Sequence, residues 1–314
     1  MPQTSNSETT KSFTHQILSF AWKGRDLDPQ PYPVLQIRRL DNGEQTKIKL
    51  EPGFEFNWKL SKKRYCPGFI DFTKGNQELC PFMNELESGD MCAYCTKRTG
   101  FHSAFFYGDE PNAQMKEYLT QPHYIYLAYF QPNIIKVGTA ADRKRYIRLI
   151  EQDALVAMYI ATATGFEIQN LEHAISGQLG FTEVVKSKQK YTYFNQRPNV
   201  ENAAQQLRSA HQHIYNHFQD TAFADWLLKN TEIIDQTQNP YIYYPASEQK
   251  LHRIYEDRLL TGKFLGLRHK YLLLAHNEQT IVLNKRYLEG RYFIASEEAL
   301  TYELPKPTQP SLFD

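Results

Sequence analysis

The stretch that most constrains this chain is His123 to Ile150, HYIYLAYFQPNIIKVGTAADRKRYIRLI. Tyr124 to Phe130 is a run of aromatic and β-favouring residues, and Ile134 to Val137 is a second apolar run. Gln131-Pro132-Asn133 between them is a turn signal, so the two runs predict a β-hairpin. Gly138 ends the second strand. Apolar Tyr146, Ile147, Leu149 and Ile150 then recur among Arg143, Lys144, Arg145 and Arg148, which predicts a helix. Tyr126 and Lys136 thus sit on paired strands with an arginine-rich helix just beyond. A phenol, an ammonium and guanidinium groups are expected to gather at one edge of a small sheet. Ala154 to Thr164 suits a third, buried strand, and Phe166 to Leu179 carries Ile168, Leu171, Ile175 and Leu179 at helical spacing, with Glu172 beside His173.

That stretch resembles the GIY-YIG nuclease domain. Ile125-Tyr126 sits where the family has the end of its GIY, and Lys136-Val137-Gly138 where it has YIG. Tyr124 replaces the first Gly and Lys136 the second Tyr. The resemblance implies a small mixed sheet with flanking helices and a metal-dependent endonuclease chemistry. Tyr126 would be the general base or its relay, Lys136 would supply charge or orient the water, and Arg148 would steady the phosphate. Glu172 would hold Mg²⁺ or Mn²⁺, and His123 is a further acid/base candidate. A hard ion completed by waters and phosphate oxygens needs only one such carboxylate. A phenol is normally protonated at pH 7, with a reference pKa of about 10, so it needs nearby positive charge to act as a base. The wider chain, roughly residues 55 to 295, looks like an uncharacterised bacterial family with this core. That family has upstream cysteines, an R-x-I-E/D-Q-x-A segment (Arg148 to Ala154) and a G-x-x-x-G-x-x-x-x-Y-L stretch (Gly262 to Leu272).

The four cysteines are Cys66, Cys80, Cys92 and Cys95. Thiols grouped this closely in a reducing compartment suggest metal more than disulfide. Cys92-Ala-Tyr-Cys95 is the short bite that lets two sulfurs share a tetrahedral zinc, and Cys66 and Cys80 would close a structural four-thiolate site. Buried free thiols and a redox CxxC are the other readings.

Residues 32 to 60 alternate as strands, with Asp41-Asn42-Gly43 as a hairpin turn. Phe101 to Tyr107 is expected as a strand and Pro111 to Leu119 as a short helix. KSKQK (Lys186 to Lys190) and the YTYF after it are expected as a basic loop and a strand, and Asn199 to Phe218 as a helix. A linker helix is expected near Glu248 to Leu260, followed by strands KYLLLA and TIVLN around a His276 to Gln279 turn. These last strands are expected to pair with the N-terminal ones, so that the core interrupts one β-domain. The whole is an α+β chain. It divides into a disordered lead (1–12), an N-terminal β region (13–62), a four-cysteine module (63–120), the GIY-YIG-like core (121–236), a C-terminal β-rich domain (237–300) and an extended tail (301–314).

Net charge is +1, so global charge selects no partner. Local charge does. Lys136 to Arg148 holds five basic residues against Asp142, and Lys59 to Arg64 holds four. Lys263, Arg268, His269, Lys270, Lys285, Arg286 and Arg291 form a third group interleaved with Tyr and Phe. Such groups suit phosphates, and the 21 Tyr and 19 Phe include candidates for base stacking. Branched or single-stranded DNA is the expected partner. No stretch approaches the ~20 apolar residues of a membrane helix, and MPQTSNSETTKS lacks a signal-peptide core, so a cytoplasmic location is expected. In the Pro-rich tail, Gln309, Ser311, Leu312 and Phe313 resemble the peptide with which bacterial replication and repair proteins dock on the sliding clamp. Pro310 stands where that peptide has Leu.

Overall fold

Turn residues reverse the chain within the hairpins of this fold. The computed structural model describes residues 13–24, 30–71, 76–99, 113–246, 251–254 and 258–302. β1 (His15–Lys23) runs antiparallel to β2 (Tyr32–Arg39), which turns into β3 (Gln45–Lys49). In that turn Gly43 takes φ +75°, and its N–H donates to Arg39 O at 3.1 Å. Only glycine adopts such a φ without a steric cost. β4 (Glu55–Tyr65) leads into the cysteine segment, with short β5 (Phe69–Ile70), β6 (Gln77–Glu78), β7 (Glu85–Leu86) and helix α1 (Ala93–Arg98). The strand expected at Phe101 to Tyr107 lies outside the described residues.

Helix α2 (Ala113–Leu119) precedes the predicted hairpin, β8 (Pro122–Phe130) and β9 (Ile134–Ala141). One 3₁₀ turn (Asp142–Lys144) then feeds α3 (Arg145–Glu151), β10 (Val156–Thr164) and α4 (Gly165–Leu179). Thr164 and Glu167 form a reciprocal capping box at the start of α4, the pattern that satisfies two orphan N–H groups at a helix start. KSKQK is not a loop but opens α5 (Ser187–Thr192). Tertiary packing decides this: Lys190 is buried in α5 and Phe194 lies just beyond it, 1 % exposed. Helix α6 (Val200–Phe218) is capped by Asn199 and followed by β11 (Ile234–Asp235). β10, β8 and β9 with β11 form a four-stranded sheet in the order β11-β10-β8-β9. Its ladders are all antiparallel, which corrects the expected mixed sheet. The one parallel feature on it among the described residues is a single bridge from Lys136 to Thr182.

The C-terminal part is strand-rich, with β12 (Leu251–Ile254), β13 (Leu259–Arg268), β14 (Tyr271–His276), β15 (Gln279–Asn284), α7 (Lys285–Leu288) and β16 (Arg291–Ala295). The helix expected near 248–260 is therefore corrected: its described residues start strands. Asn277 and Glu278 both take positive φ in the β14–β15 turn, the two-residue geometry that matches strand twist. Strands from both ends of the chain share one ten-stranded sheet, with β4 between β13 and β16, and β16 beside β1. Among the described residues no helix is long and apolar enough to cross a membrane.

The two sheets are locked by helix α3 and the loop after it. Ile150 and Leu155 join the core of the large sheet with Phe20, Trp22 and Phe264. Leu149 packs instead with Tyr126 on the small sheet. At the loop, Asp153 accepts two bonds from Arg268, from Nε at 2.6 Å and Nη2 at 2.9 Å. Both side chains are nearly fully buried. The third guanidinium nitrogen donates to the carbonyls of Phe194 at 3.1 Å and Tyr243 at 3.3 Å. Burial works against the Arg268 charge, but Asp153 outweighs it and holds the pKa above its ordinary value. Arg268, expected on the basic surface, is thus an internal tie. Its neighbour His269 is tied as well, to Glu151 O at 3.1 Å and Ser187 Oγ at 3.2 Å. Removing one partner of a buried pair strands a charge and costs about 3–5 kcal/mol. Asp153→Asn keeps an acceptor and tolerates the φ of +60° at this position, yet it should lower the midpoint of urea unfolding, with a loss of unfolding free energy in that range. An unchanged midpoint would remove the pair as the tie between the sheets.

Candidate functional site

Two groups of chemistry-bearing side chains stand out, one of sulfur and one of mixed charge. Cys66 follows the end of β4, Cys80 follows β6, and Cys92 and Cys95 bracket the start of α1. All four are buried and unbonded to one another. Their sulfurs lie within 4.8 Å of one another, with Cys80 and Cys92 Sγ 3.8 Å apart. Tetrahedral zinc with Zn–S of about 2.3 Å requires sulfurs roughly 3.8 Å apart, so the cage has the size that a metal such as zinc takes. Gly68, at φ +99°, lets the chain after Cys66 press against the Glu78 carbonyl, where any Cβ would overlap the oxygen. Burial pushes the Cys66 and Cys95 thiols up. For Cys92 burial works in the same direction, but the Cys95 N–H and the neighbouring thiols outweigh it and bring the group down.

Arg38 supplies an independent test of fit. It lies on β2, 5 % exposed, and its Nε and Nη2 have no hydrogen-bond partner. Burial pushes its pKa down, while Tyr292, Cys80 and Cys66 push it up. An unpaired buried guanidinium is costly. Four thiolates around a divalent ion carry two net negative charges, which is the counter-charge this arginine lacks. Sequence reasoning missed Arg38 because it stands in an ordinary alternating run, far from the cysteines. The available signal was an Arg inside a strand buried on both faces.

The second group lies on the small sheet. Tyr126 pairs with Gly138 and Ala128 with Lys136, so Tyr126 and Lys136 share one face of the hairpin. Lys136 Nζ stands 3.5 Å from Tyr126 Oη and donates to Val137 O at 3.2 Å. Gly138 makes this possible: a Cβ there would sit 2.5 Å from Tyr126 Oη and 2.7 Å from Lys136 Nζ. Tyr126 is fully buried and Lys136 is 7 % exposed. Glu172, half-buried on α4, is pushed up by burial, pulled back by Lys136, raised further by Glu183 and lowered by His173 and Arg148. Arg148 is exposed on α3, and its charge also acts on Tyr118 and Lys190. Lys136 and Arg148 are therefore electrostatic neighbours of Glu172, and Lys136 in turn contacts Tyr126.

His123 is not part of that group. Side chains alternate along a strand, and His123 falls on the face of β8 that carries Ile125 and Leu127, against Gly165 of α4. Its Nδ1 donates to Gln121 O at 2.8 Å, leaving Nε2 buried without a partner. Burial lowers its pKa, the Gln121 carbonyl raises it, and Arg143 lowers it. Two residues that sequence reasoning passed over do belong. Glu183 acts on Glu172 from the segment bridged to β9, and bonds His173 at 3.3 Å. Tyr159 lies directly across from Tyr126 on β10, with its buried hydroxyl unpartnered and its pKa pushed far up by burial and by Tyr126. The sulfur cage is the only cluster of three or more His, Cys, Asp or Glu ligands among the described residues, so an ion at Glu172 would rely on waters and substrate oxygens. Gln309, Ser311, Leu312 and Phe313 lie outside the described residues.

The purified chain should contain one zinc, and Cys66→Ser should abolish it. Because partners around a metal's ligands typically contribute 10- to 100-fold in affinity, Arg38→Gln should surrender zinc to a chromogenic chelator at 10- to 100-fold lower chelator concentration. A wild-type chain without metal would overturn the site.

No curated protein and no solved structure matches the chain. A family model described as "Protein of unknown function (DUF2797)" matches residues 55–293. The match begins at the first residue of β4 and ends within β16, so it takes in the cysteine cage, the small sheet and the strands that embrace them. The chain belongs to the DUF2797 family.

Proposed function

We propose that this protein is a metal-dependent DNA endonuclease of the GIY-YIG type, acting in DNA repair, replication or defence and recruited by the sliding clamp. The observation that carries the reading is the Tyr126–Lys136 contact, 3.5 Å across a hairpin and made possible by Gly138. Cleavage needs a water to attack phosphorus, a base to take its proton, and positive charge around the phosphate oxygens as the P–O bond to the leaving oxygen breaks. Tyr126 takes or relays the proton, with the Lys136 ammonium beside it and Tyr159 as a second phenol next to it. Arg148, exposed at the start of the site, offers two parallel N–H donors to a phosphate. Glu172 would hold Mg²⁺ or Mn²⁺, which would supply Lewis-acid charge for the phosphate and the leaving oxygen. In this scheme the zinc cage is structural, because four thiolates leave no open position.

The burial of Tyr126 and Lys136 favours a second reading. A phenol with no solvent access suits a core that keeps the fold and basic face but only binds nucleic acid, or adapts another protein to the clamp. A panel of flapped, nicked, branched and single-stranded DNA with Mg²⁺ or Mn²⁺ separates the two. Wild type should cut one of these shapes, and Glu172→Ala should abolish cutting while binding within about twofold of wild type. Binding without cutting by both proteins would favour the second reading. Deleting Gln309 to Asp314 should remove clamp binding in a pull-down and leave cutting of naked DNA unchanged. Retained clamp binding would overturn the tail assignment.

A further inference from the structure

Two basic groups far apart in sequence, Lys62 and Arg64 in one and Arg258, Arg286 and Arg291 in the other, meet in one cleft. Its volume is about 650 Å³, and it is lined by Lys62, Arg64, Arg258, Arg286, Tyr287 and Arg291 with the 87–89 segment of the cysteine module. Glu87 is the only carboxylate on its described lining. None of its lining residues belongs to the small sheet or its helices.

The guanidiniums are held in place before any ligand arrives. Arg64 Nε donates to Glu289 O at 2.9 Å and its Nη1 to Gly89 O at 3.0 Å. Arg291 Nε donates to Tyr287 O at 2.8 Å and its Nη1 to Ser61 O at 2.8 Å. These acceptors are neutral carbonyls, and they fix the geometry of both side chains. Asp90, an exposed carboxylate, bonds Arg286 Nε at 2.6 Å and stands 3.9 Å from Arg64, so it lies between the two cations. Lys62 is exposed, and the Tyr287 ring is 40 % exposed among these cations. Five Lys and Arg side chains line this volume, with Glu87 on the lining and Asp90 beside it. A row of cations with an open aromatic face is what a single strand engages, phosphates on the charges and a base on the ring.

We propose that this cleft is a nucleic-acid site separate from the Tyr126–Lys136–Glu172 group, and that it takes the phosphates of a single strand with one base stacked on Tyr287. The site follows the chain between the large sheet and the cysteine module, so a bound strand would bridge the two. The assignment does not rest on cleavage, since binding is measured without added magnesium or manganese.

The test is fluorescence anisotropy of a labelled 20-nucleotide strand against the full chain over a salt series. Lys62→Glu combined with Arg286→Glu changes two exposed side chains, and circular dichroism and zinc content verify the fold. The pair should weaken binding at least tenfold and lower the salt slope by about 1 to 1.5, the value for two phosphates on a single strand. Tyr287→Ala should weaken single-strand binding about tenfold while leaving duplex binding unchanged. Glu172→Ala should bind as wild type does, so loss of cleavage alone leaves this site standing. Unchanged affinity and slope in the charge-reversed pair would overturn the proposal. So would full displacement of the strand by inorganic pyrophosphate at equal phosphate concentration, which would mark a site for small phosphate compounds.

Discussion

The buried pair between Asp153 and Arg268 is the contact on which the arrangement of the two sheets depends. Arg268 ends β13 of the large sheet, and Asp153 sits in the loop that launches β10 of the small one. The pair carries its own desolvation cost, which its bidentate geometry and two carbonyl acceptors offset. Around it the packing is continuous: the ring of Phe194 lies 4.6 Å from the guanidinium, and Ile150 and Leu155 fill the core of the large sheet. Gly266, two residues before Arg268, has the Tyr241 carbonyl where a Cβ would be, 2.6 Å away. The two family-like segments, Arg148 to Ala154 and Gly262 to Leu272, are thus two sides of one interface.

With the sheets fixed, β4 becomes the spine that joins the other features. Its first half pairs with β13, and it pairs with β16 between Trp58 and Arg64. Its second half brings Lys62 and Arg64 to the basic cleft, and Cys66 follows directly. The cysteine cage therefore fixes the far wall of that cleft, because the 87–89 segment lies between Cys80 and Cys92. A metal in the cage would act on function through this wall, by rigidity and not by chemistry of its own. Arg38, on β2 of the large sheet, is an electrostatic neighbour of Cys80 and Cys66.

The small sheet handles charge differently. Tyr126, Tyr159 and Lys136 are buried together on one face, and the carboxylates Glu172 and Glu183 approach from α4 and from the segment along β9. Burial pushes the carboxyl of Glu172 up and the ammonium of Lys190 down to about 8. Groups held this way respond strongly to a phosphate or a cation arriving among them, because each changes the balance of charge that burial penalises.

Local sequence determined the elements whose signals are local. The β8–β9 hairpin follows from two β-favouring runs around Gln131-Pro132-Asn133, α6 from its apolar stripe and Asn199 cap, and the sulfur cage from four grouped cysteines. The diagonal placement of Tyr126 and Lys136 follows from hairpin register and the alternation of side chains. What only the tertiary structure decided depends on contacts between distant segments. Lys190 and Phe194 turn a basic, polar stretch into a helix because they are buried. Arg268 reads as one more surface cation until Asp153 is placed against it. Glu183 carries no local signal, and Arg38 only that of a cation in a strand buried on both faces. Periodicity records which side of an element is apolar, whereas the partner of a buried charge is chosen by how the sheets dock.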